Sequence, residues 1–80
     1  MVDKTKVYTL SDFQDELVKD TLKDVSEILE ERGYDPINQI VGYLISGDPG
    51  YISSYKEART KISKLDRTKV IEVLVREMLK

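Results

Sequence analysis

Apolar residues recur at spacings of three and four through most of this chain. From Phe13 they run through Leu17, Val18, Leu22, Val25, Ile28 and Leu29, and Asp15, Glu16, Asp20, Lys23, Asp24, Glu27 and Glu30 fill the positions between. That period sets one stripe against a core and leaves the charges in water, which predicts a long first helix. The helix is expected to start after Ser11, whose hydroxyl can cap the backbone while Gln14 returns the bond, and to stop at Gly33.

The next stretch, Gly33 to Ile52, reads GYDPINQIVGYLISGDPGYI: a short apolar run bracketed by two Gly-Asp-Pro junctions. Each junction is a helix stop followed by a helix start, since Gly takes the left-handed turn, Asp caps, and Pro suits a first turn that needs no donor. A second helix is therefore predicted from about Pro36 to Ser46. Its residues Ile37, Ile40, Val41, Tyr43, Leu44 and Ile45 leave little polar surface and are expected at the buried centre. Gly42 inside it costs about 1 kcal/mol against alanine, which points to the close approach of another helix.

A third helix is expected after Asp48-Pro49-Gly50, or slightly later near Ser53 or Ser54, presenting Tyr51, Ile52, Tyr55, Ala58, Ile62 and Leu65. Asp66 then caps a fourth. Although Val70 to Val75 has strand propensity, the cap and the continuation to Met78 and Leu79 favour a helix. Val70, Ile71, Val73, Leu74, Val75, Met78 and Leu79 give it an apolar face wider than a surface helix needs, so a second copy of the chain is expected to cover part of it. The fold class is all-α, a bundle of about four main helices over residues 11–80. Residues 1–10, MVDKTKVYTL, lack helical period and read as a flexible tail, although Val7, Tyr8 and Leu10 can also pack loosely or form a short extended piece.

Composition narrows the chemistry. Eighty residues with 40% hydrophobic and 35% charged side chains support one domain with a heavily solvated exterior. Cysteine and histidine are both absent, which removes disulfides, thiolate nucleophiles and the usual zinc and haem ligands. No cofactor and no metal are expected. No apolar run reaches the roughly 18 to 20 residues of a membrane span, and the N-terminus lacks the order of a signal peptide, so a cytoplasmic protein is the simplest reading.

The net charge of −2 is unevenly placed: residues 11–35 hold nine acids and three bases, residues 56–69 six bases and two acids. These runs are either solvated helix faces or two faces of opposite sign. The basic run of Lys56, Arg59, Lys61, Lys64, Arg67 and Lys69 admits a small helical DNA-binding protein, which the net acidity and the acidic first helix oppose. Catalysis finds little support, since carboxylates such as Glu30 and Glu31 on an exposed face gain neither burial nor coupling to tune them. Tyr51 and Tyr55 read as packing at the edge of the core. Ser46 to Gly50 lacks the lysine of a phosphate-cradling loop and reads as a helix junction. Thr5, between Lys4 and Lys6, is a candidate kinase acceptor, as any exposed threonine is, Thr9 included.

The passage from Gly33 to Ile52 closely resembles the IreB family of small regulatory phosphoproteins from Gram-positive bacteria. The likeness extends through Lys56, Ala58 and Arg59, through Leu65, Asp66 and Arg67, and N-terminally through Asp3, Lys4 and Thr5. The resemblance implies a non-enzymatic homodimer whose tail is phosphorylated at Thr5 by a membrane-bound serine/threonine kinase with extracellular PASTA repeats. It further implies control of peptidoglycan synthesis, and so of tolerance to cell-wall antibiotics, through Clp-dependent proteolysis. Relatives carry a second acceptor where this chain has Val2 or Asp3, and Pro-Arg-His where it has Ser53, Ser54 and Tyr55, so one basic contact is missing. Arg59, with Lys56 and Arg67, is the expected partner-binding surface. The competing reading is a constitutive adaptor that binds a protein through its apolar C-terminal helix.

Overall fold

The computed structural model describes residues 10–80, and the expectations for the tail, Thr5 and Thr9 among them, lie outside the described residues. Four α-helices follow one another: α1 (Leu10–Glu31), α2 (Pro36–Ser46), α3 (Ala58–Ser63) and α4 (Arg67–Leu79). Two 3-10 turns, Pro49–Tyr51 and Tyr55–Glu57, lie between α2 and α3. The all-α expectation holds, and Val70–Val75 is helical.

α1 is the spine. Its 22 residues span about 33 Å at 1.5 Å per residue, and Val18, Val25, Ile28 and Leu29 bury one side of it. α3 adds Ala58 and Ile62 to that core, α4 adds Val70 and Val73, and Ile52 fills it from the loop. Leu10 is already helical, so Ser11 falls inside the first turn and not at the cap. Phe13 and Leu17, expected in the buried stripe, are exposed, because the buried residues of α1 begin only at Val18.

The two junctions behave as their residues dictate. Gly33 adopts φ +84°, with the Gly33 N–H donating to the Glu30 carbonyl at 2.9 Å and the Tyr34 N–H to that of Leu29 at 3.0 Å. This pair of bonds is a Schellman ending. Asp35 accepts from the backbone of Ile37 at 3.0 Å and Asn38 at 3.3 Å, ahead of Pro36. Gly47 ends α2 at φ +75°, and Asp48 accepts from the Gly50 N–H at 2.8 Å to start the 3-10 turn. Asp66 caps α4 through the Thr68 N–H at 2.9 Å.

Two expectations fail in this region. Tyr43 and Leu44 are buried and Ile40 is half-buried, but Ile37 is 73% exposed and Ile45 79%, so α2 lies on the core by one face only. Gly42 meets a ring instead of a helix: a Cβ there would stand 2.4 Å from Tyr51 Cε1. The turn after α2 folds Tyr51 back over Gly42, and Gln39 Nε2 donates to the Tyr51 carbonyl at 2.8 Å. The third helix is also shorter than expected. Lys56 and Glu57 take left-handed conformations, at φ 49° and 64°, so the regular helix begins only at Ala58.

The acidic and basic runs pair across helices. Lys56 meets Glu31 at 3.0 Å, Lys61 meets Asp24 at 2.7 Å, and Lys69 meets Asp15 at 3.4 Å. Arg76 reaches Asp15 at 2.6 Å and Glu72 at 2.7 Å, while Lys19 joins Glu77 at 2.8 Å. α4 therefore crosses α1 at Asp15 to Lys19. Hydrogen bonds from Lys19 and Lys80 lower the Glu77 carboxyl from 4.5 to about 2.

Two predictions follow from these contacts. Gly42→Ala gains about 1 kcal/mol of helix propensity but overpacks Tyr51, at a typical cost of 1–3 kcal/mol. A net loss of about 1 kcal/mol in urea unfolding is expected, and in a Tyr51→Ala background the same change should stabilise. Glu77 is held ionised in the fold, so its contribution is full above pH 4.5 and disappears as pH falls through about 2. A carboxyl titration by NMR should give a midpoint for Glu77 well below 4.5, and Lys19→Met should return it toward an ordinary glutamate.

Candidate functional site

The three bases singled out from the sequence flank the irregular segment 47–57 and the helix ends around it. Arg59 Nε donates to the Ile52 carbonyl at 2.9 Å, and the Arg59 backbone N–H donates to that of Ser53 at 3.1 Å. The side chain thus pairs with the main chain and not with an acid. Anchoring through Nε leaves the two terminal nitrogens of the guanidinium directed away from that bond, a fork suited to a carboxylate or phosphate.

Arg67 acts at the other end of the segment. Its Nη1 donates to the Leu44 carbonyl at 3.1 Å, in the last turn of α2. A Cβ on Gly47 would stand 2.7 Å from the Arg67 Cζ, so the guanidinium lies flat against that glycine. One of the orphan carbonyls of α2 is satisfied by the first residue of α4.

Lys56 has a different role. Its ammonium bridges both oxygens of Glu31, at 3.1 and 3.0 Å, and lies 5.4 Å from the centre of the Tyr55 ring. Arg32 stacks on that ring at 4.6 Å, so Tyr55 is held by two cations. The hydrogen bond that Lys56 donates to Glu31 raises the pKa of Lys56, with the Coulombic attraction of the same carboxylate second. The left-handed backbone at Lys56 and Glu57 carries a cost of about 1–2 kcal/mol per residue, a strain that commonly marks a functional loop.

Of the six bases in 56–69, Lys56, Lys61 and Lys69 are neutralised by α1. Arg59 and Arg67 hold backbone carbonyls, and Lys64 forms no ion pair among the described residues. The positive surface is therefore two positioned guanidinium groups and one lysine, not a continuous stripe. Which acids would cancel which bases was not readable from sequence, because each pair joins residues 25 or more positions apart.

A second feature went unrecognised. An open trough of about 680 Å³ runs between α1 and α2, floored by Leu22, Ile37, Ile40, Val41 and Leu44 and edged by Leu74 of α4. The signal for it was the lack of a polar face on α2, since a helix apolar all round in so small a domain must leave part of itself uncovered. No polar side chain is buried among the described residues, and none of their helices is long and apolar enough to cross a membrane.

The described residues form a small all-α domain that carries positioned cations and uncovered apolar surface. The IreB regulatory phosphoprotein model matches residues 3–80, and the chain belongs to that family.

The strained pair generates a stability test. The Glu57 side chain accepts no capping bond and its backbone sits at φ 64°, so Glu57→Gly should raise stability by about 0.5–1 kcal/mol in chemical unfolding. Glu57→Val should lower it by more than that.

Proposed function

We propose that this chain is a non-enzymatic regulatory phosphoprotein of the cytoplasm, switched by phosphorylation of Thr5. The observation that supports this is the family match, which starts at residue 3 and so includes Thr5. The kinase is of the PASTA type, and the output is Clp-dependent proteolysis that sets peptidoglycan synthesis and antibiotic tolerance. Arg59, Lys56 and Arg67 form the surface offered to the proteolytic partners. The outward stripe of α4, Ile71, Leu74, Val75 and Met78, with Met78 82% exposed, is the contact for a homodimer. Binding of DNA loses support from the pairing of half the basic run with α1.

Covalent geometry limits how the phosphate can act. Thr5 is five residues from the start of α1, a reach of at most about 18 Å. Lys56 is bonded to Glu31 at the far end of that helix, about 32 Å from Leu10 along the helix axis. A phosphate on Thr5 therefore does not dock on Lys56 of its own protomer. Its added charge of about −1.5 to −2 acts beside the first turns of α1 or on a partner directly.

Incubation with the kinase and ATP should give one phosphate by mass spectrometry, and Thr5→Ala should abolish it. Amide spectra of the modified protein should leave Lys56 and Glu57 unshifted. Phosphorylation that persists in Thr5→Ala would overturn the assignment. Sedimentation should show a dimer at micromolar concentration that becomes a monomer in Ile71→Asp with Met78→Asp.

A further inference from the structure

The trough between α1 and α2 has a chemistry of its own, distinct from the basic surface. One wall is the α2 face of Pro36, Ile37, Ile40, Val41 and Leu44, and the other is α1 from Glu16 to Glu27. Val41 is 46% exposed although it sits in the middle of α2. The twelve residues of α1 from Glu16 to Glu27 give this wall a length of about 17 Å, or three helical turns.

Charge on the wall is not balanced. Lys19 is held by Glu77 and also feels the charge of Glu16, whereas Glu16, Asp20 and Glu27 form no ion pair among the described residues and share the lining with one further base, Lys23. Apart from these charged residues, the lining holds one polar side chain, Ser26, among Leu22, Pro36, Ile37, Ile40, Val41, Leu44 and Leu74. An enclosed small-molecule site would instead hold a few fixed polar groups within its walls.

We infer that this trough binds an amphipathic helix of a partner protein, with an apolar face laid on α2 and lysine or arginine directed at Glu16, Asp20 and Glu27. The length suits about three turns anchored at helical spacing, the helix-in-groove mode, and the rim supplies charge complementarity. A second copy of this chain is a poorer match. Its α4 offers an apolar stripe, but the adjacent Glu72 and Arg76 pair with each other and provide no basic row for the rim. This inference is independent of Thr5 and its phosphorylation, so either can fail alone.

The test uses the full chain and two synthetic helical peptides of about 14 residues, one of leucine and lysine, the other of leucine and glutamate at the same positions. The lysine peptide should bind at least tenfold tighter by fluorescence anisotropy, with amide shifts at Leu22, Ile37 and Val41. Ile37→Asp with Val41→Asp, both at exposed positions, should retain the helical circular dichroism and lose binding at least tenfold. Glu16→Lys with Asp20→Lys should invert the preference between the peptides. Equal binding of both peptides, binding of neither, or shifts mapped elsewhere would overturn the inference. So would conversion of a dimer to a monomer by Ile37→Asp with Val41→Asp, because the trough would then belong to a second copy.

Discussion

One long helix has to serve as the packing partner of the three other α-helices, and this constraint shapes the molecule. α2, α3 and α4 are 11, 6 and 13 residues long, too short to build a core among themselves. Each buries its apolar side against α1 or the residues α1 has already buried, with Val25 and Leu29 fully enclosed at the centre. A domain of this size leaves a large share of its surface uncovered. Here the remainder is concentrated on α2, on the outer side of α4 and on the first turns of α1.

The charges follow from the same arrangement. Bases of the C-terminal half meet acids of α1 at Glu31, Asp24 and Asp15, so the pairs are distributed along the spine. Exposed pairs of this kind contribute little each, and their value lies in fixing where α3 and α4 cross α1. Asp15 is the most enclosed, shared by Lys69 and Arg76, with one oxygen shielded from water and without a hydrogen bond. What the pairing leaves over is informative: two guanidinium groups tied to backbone carbonyls, and Glu16, Asp20 and Glu27, which form no ion pair among the described residues.

Legibility in the sequence divided along physical lines. Local chemistry was readable: Pro36 to Ser46 was recovered with its Asp35 cap and Gly47 stop, as was the Asp66 cap of α4, because those signals act within four residues. Membership of the family was equally plain in Gly33 to Ile52. Burial was harder, since period identifies an apolar face but not whether anything covers it, and Ile37, Val41, Ile45, Phe13 and Leu17 turned out exposed. The left-handed turn at Lys56 and Glu57 escaped because neither residue favours it. The loop is held there by tertiary contacts, Lys56 to Glu31 and Arg59 to Ile52. For the site, Lys56, Arg59 and Arg67 were identifiable as bases, but their differing roles depended on partners distant in sequence.

The strained segment and the exposed apolar surfaces also bear on how such a protein can regulate. A core held by so few buried side chains cannot absorb a large rearrangement without unfolding. The guanidinium groups of Arg59 and Arg67 are oriented by their bonds to the Ile52 and Leu44 carbonyls. The caps at Asp35, Asp48 and Asp66 hold the junctions at which so short a chain would otherwise fray.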